Sequence, residues 1–159
     1  MNNRRFSPIV KKVIAKSREE AIRLGHDFIG TEHLLLGILS ENTSLAMKVL
    51  SSLDVDTEDL RHTVEDSVQR RPANATGLNV GEIPLNKHAE KVLKVTFLEA
   101  KMLKSEEVSP EHLLLSILKN QDNPASKILN QFDVDYEIYK AELEYVKQEQ
   151  DMNTNINPY

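Results

Sequence analysis

Cysteine and tryptophan are absent from this chain of 159 residues, and only five glycines and six prolines interrupt it. Without cysteine there are no disulfide bonds, no thiolate nucleophile and no cysteine-ligated zinc. A run of about 18 apolar residues, the length of a membrane-spanning helix, is also missing. Lysines follow the basic start at Arg4 and Arg5, where a signal peptide would have an apolar stretch. We therefore expect a soluble, cytoplasmic protein that has no membrane partner.

Basic residues are fewer than acidic ones. Lys and Arg number 20 against 25 Asp and Glu, which gives a net charge of −5. A surface that binds nucleic acid needs an excess of basic residues to contact phosphates, so the composition does not favour a nucleic-acid partner. The hydrophobic content of 40% is that of an ordinary globular domain. The chain is predicted to fold as one compact domain.

Apolar residues recur with helical spacing along most of the chain, and the strict alternation typical of a strand persists nowhere. The first apolar stripe covers about residues 7–24. Three shorter stripes follow it, and the last ends near Arg71. Prolines after Ser7, Ser109 and Asn123 indicate helix starts that these side chains cap. The sequence predicts an all-α fold without strands.

The pattern returns after a constant shift of 79 residues. Glu32-His33-Leu34-Leu35-Leu36 reappears as Glu111-His112-Leu113-Leu114-Leu115, and Asp54-Val55-Asp56 reappears as Asp133-Val134-Asp135. An internal repeat fixes the architecture of a fold. One copy is small for a separate core, so we expect the two copies to build a single core together. We predict two tandem four-helix repeats around an approximate twofold axis.

These repeats are predicted to span residues 1–71 and 84–150. Residues 72–83 are rich in turn-forming residues and are predicted as a connector, and residues 151–159 are predicted as a tail or linker. The leucine runs around Leu35 and Leu114 are expected to lie in the core. The alternative is an exposed groove that binds a partner.

Catalytic motifs are absent from the sequence. It contains no G-x-x-x-x-G-K-[ST] phosphate loop, no G-x-G-x-x-G and no H-E-x-x-H. Glu32-His33 and Glu111-His112 are adjacent pairs, so their side chains diverge by about 100° around a helix. The favoured interpretation is a glutamate at a helix start followed by a packed histidine. The alternative is a stand-alone helical enzyme or metal-binding protein that uses these pairs.

Three segments carry a recognisable pattern: Arg5-Phe6-Ser7, residues 19–26, and Ile29-Gly30-Thr31-Glu32-His33-Leu34-Leu35-Leu36-Gly37-Ile38-Leu39. They closely resemble the amino-terminal domain of ClpC-type Clp ATPases, and the resemblance covers about residues 4–148. It implies a pseudo-twofold bundle of two repeats that precedes AAA+ ATPase rings. Such a domain receives substrate proteins and adaptor proteins for an ATP-dependent unfoldase that works with a ClpP-type peptidase.

The resemblance also implies what the chain does not do alone. ATP and Mg²⁺ belong to ATPase modules that this sequence lacks, so the chain by itself is expected to be no enzyme. It is also expected to hold no catalytic residue, no metal and no cofactor.

Some ClpC-type domains bind phosphoarginine, a degradation mark, at two repeat-related sites. This ligand needs a carboxylate for its guanidinium and cationic or helix-terminal donors for its phosphate. By the resemblance, Glu32 is the carboxylate of the first site, and Arg5 and Ser7 lie at the phosphate. Pro8 removes one backbone N–H that the phosphate would otherwise use.

In the second repeat Glu111 matches the carboxylate, while Asn86 replaces the hydroxyl and His88 stands where an arginine is expected. Histidine is mostly neutral near pH 7, so this phosphate pocket is predicted to be the weaker one. The alternative for both repeats is that Glu32 and Glu111 only stabilise the starts of their helices.

Overall fold

The computed structural model describes residues 5–68 and 83–156, with side chains up to residue 152. The first repeat contains β1 (Arg5–Phe6), α1 (Pro8–Arg23), α2 (Thr31–Leu39), α3 (Leu45–Ser52) and α4 (Thr57–Ser67). The second contains α5 (Lys87–Met102), β2 (Glu107–Val108), α6 (Pro110–Lys119), α7 (Pro124–Gln131) and α8 (Tyr136–Ile156). Each helix of the second repeat begins 79 positions after its counterpart. The predicted helical fold of two four-helix repeats is confirmed.

Side-chain caps fix several of these helix starts. Ser7, Asn86 and Asn123 each accept a hydrogen bond from the backbone N–H three residues further on. The prediction that the Ser109 side chain caps α6 is wrong, because that side chain makes no capping hydrogen bond. The backbone N–H of Ser109 donates to Nδ1 of His112 at 2.9 Å instead.

One hydrophobic core joins the two repeats. Leu35 in α2 and Leu114 in α6 are fully buried, and both belong to the same cluster of apolar side chains. Helix α2 contacts α5, α6 and α7 of the second repeat, and α6 contacts α1 and α3 of the first. The leucine runs are therefore core, and the alternative of an exposed groove along them is wrong.

Two short strands depart from the prediction. β1 and β2 pair in parallel, and an isolated bridge joins Ile29 to Leu85. A strand of two residues is too short to show an alternating pattern, so the sequence gives no signal for it.

The end of the chain also differs from the prediction. Helix α8 continues to Ile156, so residues 151–156 extend a helix that was predicted to give way to a tail near residue 150. The predicted connector, residues 72–83, lies outside the described residues except for Ile83. Within the described ranges, every helix is too short or too polar to cross a membrane.

Candidate functional site

The start of each repeat pairs with the other repeat. The backbone N–H of Ser7 donates to the carbonyl of Val108 at 2.9 Å, just before α6 begins. In the same way, the N–H of Asn86 donates to the carbonyl of Ile29 at 2.9 Å, and the N–H of Ile29 donates to the carbonyl of Pro84 at 2.8 Å. This exchange places the start of α1 beside the start of α6, and the start of α5 beside the start of α2.

The exchange decides which predicted site residues are neighbours. A Cβ atom on Gly30 would lie 2.7 Å from Oε1 of Glu32 and 3.0 Å from Nδ2 of Asn86. Glu32 of the first repeat and Asn86 of the second therefore meet over the Gly30 backbone, where a side chain would displace them. The sequence analysis groups Glu32 with Arg5 and Ser7, and the structure adds Asn86 of the other repeat as a neighbour of Glu32.

Glu32 presents an unsatisfied acceptor at this meeting point. It lies in the first turn of α2 and is half-buried. Its Oε1 atom is buried and has no hydrogen-bond partner among the described residues. A buried carboxylate oxygen without a donor is costly, so a ligand that brings N–H groups would gain by binding there.

The other meeting point contains Ser7, Arg5 and the start of α6. Arg5 is exposed on β1, and Ser7 is buried, with its hydroxyl used as the cap of α1. Glu111 lies in the first turn of α6. Burial raises the pKa of the Glu111 carboxyl, while the positive charge of Lys147 opposes this shift. A cation that approached Glu111 would therefore favour its ionised form.

His88 lies at the start of α5, close in sequence to Asn86. It is exposed in the first turn of α5, two residues after the Asn86 cap. His88 therefore lies at the start of the same helix as Asn86, whereas Glu111 lies at the start of α6.

The buried histidines are internal caps of α2 and α6. Nδ1 of His33 accepts a hydrogen bond from the N–H of Gly30 at 2.8 Å, as His112 does from Ser109. Burial lowers the pKa of His33 and of His112 to about 4, so both rings are neutral at pH 7 and carry their proton on Nε2. His33 Nε2 then donates to Nδ1 of His26 at 2.8 Å. His112 Nε2 has no partner in the described part of the chain.

The packed-histidine interpretation is confirmed by these contacts. Both histidines are fully buried and occupied by their capping bonds. In residues 5–68 and 83–156, no group of three or more His, Asp and Glu side chains is arranged to hold a metal ion. The sequence analysis did not single out Gly30 or His26 as functional residues. The repeated Glu-His pair did, however, mark the first turn of α2, where these residues make their contacts.

Comparison with known proteins gives a consistent result. A family model described as the Clp repeat (R) N-terminal domain matches residues 5–132. The ATP-dependent Clp protease ATP-binding subunit ClpA homolog of Cyanidium caldarium is 40% identical over 131 residues, which is 82% of this chain and 15% of that protein. Chaperone protein ClpC2, chloroplastic, of Arabidopsis thaliana is 39% identical over 131 residues, 82% of this chain and 13% of that protein. The chain thus spans a small part of these relatives.

Solved structures share the fold. The N-terminal domain of the chaperone ClpD from Arabidopsis thaliana aligns with a TM-score of 0.71 at 19% identity, covering 93% of this chain and 97% of that one. A ClpV N-domain in complex with a VipB peptide aligns with a TM-score of 0.66 at 17% identity, covering 80% of this chain and 76% of that one.

Proposed function

The chain belongs to the Clp repeat (R) N-terminal domain family, and from that membership we propose that it binds substrate and adaptor proteins for a Clp-type ATP-dependent unfoldase. The names of its relatives, an ATP-binding subunit of a Clp protease and a chaperone, support this role. A ClpV N-domain of the same fold was solved with a bound peptide, which supports protein binding.

Within this proposal, catalysis belongs to other modules. ATP and Mg²⁺ would act in ATPase rings, and a ClpP-type peptidase would cut the unfolded substrate. The chain alone would bind without turning over ATP or peptide. The cytoplasmic location stays a prediction, since the relatives include a chloroplastic protein.

We propose further that the module recognises phosphoarginine at two sites, each shared between the repeats. One site would join Glu32 with Asn86 and His88. The other would join Glu111 with Arg5 and Ser7. The observation that carries this proposal is the unsatisfied Oε1 atom of Glu32 beside the Asn86 amide. A guanidinium would donate to this oxygen, and the amide and the start of α5 would donate to the phosphate.

The grouping across repeats changes which site should be stronger. Arg5 carries a permanent charge, and β1 places it beside the start of α6, which holds Glu111. The Glu32 site has only the amide of Asn86 and the exposed ring of His88 for the phosphate. We expect the Glu111 site to bind more tightly, because the permanent charge of Arg5 is the stronger partner for a phosphate.

Calorimetry with free phosphoarginine tests the two sites and their composition together. If Arg5 and Glu111 share a site, the double variant Arg5→Ala/Glu111→Ala should bind no worse than Glu111→Ala alone. Combining Arg5→Ala with Glu32→Ala should remove nearly all binding, because the two changes then affect different sites. Asp122→Ala, which removes an exposed carboxylate between α6 and α7, is the control. Full binding by Glu32→Ala/Glu111→Ala would leave both glutamates as helix-start residues only.

A further inference from the structure

The outward face of α8 carries apolar residues that the fold does not bury. Ile138, Tyr145 and Met152 are 44%, 56% and 57% exposed. Ala141 and Gln148, which lie between them, are also exposed. These five positions, which we call the α8 seam, follow one another at intervals of three, four, three and four residues. That spacing is the seam of a coiled coil, and it extends along about 21 Å of helix.

The opposite face of α8 provides its packing on the core. Tyr139 and Leu143 are fully buried, and Val146 packs against the same cluster. The α8 seam therefore lies on the side of the helix that is turned away from the core, and its side chains contribute little to folding.

The first repeat shows that the fold does not require such a seam. The residues of α4 that correspond to Ile138, Ala141 and Tyr145 are Asp59, His62 and Asp66, and all three are exposed. Helix α4 has 11 residues and α8 has 21. The same structural position thus carries a polar face on a short helix in one repeat and an apolar face on a long helix in the other.

Charge around the α8 seam indicates what kind of surface it meets. Every coiled-coil flanking position from residue 137 to residue 151 is acidic: Glu137, Glu144 and Asp151 on one side, Glu142 and Glu149 on the other. Glu142 also accepts a hydrogen bond from Ser52 of α3. A second copy of the chain would place acid against acid in a parallel or an antiparallel pairing, which disfavours self-association. A helix with basic flanks would instead complement both sides.

We propose that the α8 seam docks an amphipathic helix of a partner protein, with Lys and Arg beside the apolar face of that helix. The docking follows the pattern in which apolar side chains of one helix fill the spaces between those of another. Opposite charges at the flanks select the partner and fix the register. The proposal is independent of the phosphoarginine sites, since it uses none of their residues.

Two synthetic helical peptides with the same Leu seam test this proposal by fluorescence anisotropy, one with Lys and one with Glu at the flanking positions. The Lys peptide should bind saturably at one per chain, and the Glu peptide should not bind. Tyr145→Ser should weaken binding of the Lys peptide at least tenfold, because it removes the centre of the seam. Asp66→Ser, the matching position in α4, should leave binding unchanged.

A charge reversal sharpens the result. The variant Glu144→Lys/Glu149→Lys should lose affinity for the Lys peptide and gain affinity for the Glu peptide. These exposed residues can be changed without loss of the fold, which circular dichroism would verify. Equal binding of both peptides, or binding by Tyr145→Ser equal to that of the unchanged chain, would overturn the proposal. So would a dimer of the unchanged chain in sedimentation equilibrium.

Discussion

The two repeats make the same helix-to-helix contact with different hydrogen bonds. Helix α2 meets α1 near Gly37, and α6 meets α5 at the corresponding Ser116. In the first pair Ser17 Oγ donates to the carbonyl of Val13 within its own helix, at 2.7 Å. In the second, Ser116 Oγ donates to the carbonyl of Val92 in the neighbouring helix, at 2.6 Å. The corresponding carbonyl receives a hydroxyl in both repeats, but from a different helix.

This exchange of donors changes the spacing of the helices. A Cβ atom on Gly37 would lie 2.5 Å from the carbonyl oxygen of Val13, which is too close, whereas Ser116 has a Cβ atom that fits. The second pair must therefore lie farther apart at this point. Thr96, which corresponds to Ser17, keeps a buried hydroxyl with no partner among the described residues. Corresponding positions in the two helix pairs therefore differ in hydrogen bonding and in helix spacing.

The largest expected effect tests whether the repeats share one core. Leu35→Ala and Leu114→Ala should each cost roughly 2–5 kcal/mol, the usual range for a fully buried leucine. Urea unfolding followed by circular dichroism should show one transition, shifted by either substitution. Two resolved transitions, each sensitive to only one of the substitutions, would mean that the repeats unfold separately. A cost below about 0.5 kcal/mol for both would contradict their burial.

Acid should weaken the fold through both buried histidines. The folded pKa of His33 and of His112 is about 4, and that of an unfolded histidine is about 6.5. The unfolded chain therefore binds more protons between these pH values. The stability that the two neutral histidines contribute is complete above pH 6.5 and is lost as the pH falls to about 4. Each histidine accounts for up to about 3 kcal/mol of this loss.

Urea unfolding at several pH values, with His33→Gln and His112→Gln, measures the two contributions. Glutamine keeps an acceptor for the helix start but does not titrate. Each variant should remove part of the acid loss, and the double variant should remove most of it. Glu111 acts in the opposite direction, since its raised pKa favours the folded state at low pH. An unchanged pH dependence in the double variant would show that the rings are not held neutral.

Local patterns predicted the helices and the burial of the leucine runs, because both depend on spacing within a few turns, and the constant shift of 79 residues predicted the repeat. The partner of each repeat start could not be predicted this way. Two-residue strands show no alternation, and packing of the whole domain decides that Asn86 pairs with Ile29. The neighbours of Glu32 therefore required the structure. The extension of α8 was also hidden, since polar residues 153–155 interrupt the apolar period.

A smaller effect is expected where α2 meets α1. Gly37→Ala should destabilise the fold by about 1–3 kcal/mol, because the added methyl would force the two helices apart. The gain in helix propensity offsets only part of this cost. Ser116→Ala is the matched control in the second repeat. It should lose only one hydrogen bond, about 1 kcal/mol, because its Cβ atom already fits. A Gly37→Ala variant as stable as the unchanged chain would contradict the tighter spacing of the first pair.

The smallest expected change is a gain in stability, and it tests the unpartnered hydroxyl of Thr96. Valine has nearly the shape of threonine, so Thr96→Val removes a buried O–H group without leaving a cavity. The fold should become more stable by about 1 kcal/mol, because an unsatisfied polar group no longer has to be buried. Ser17→Ala, which removes the satisfied hydroxyl of the first repeat, should not stabilise the fold. Thermal and urea unfolding of both variants give the comparison. A loss of stability in Thr96→Val would mean that this hydroxyl is bonded, for example to a buried water, and that the two helix pairs differ only in their donor.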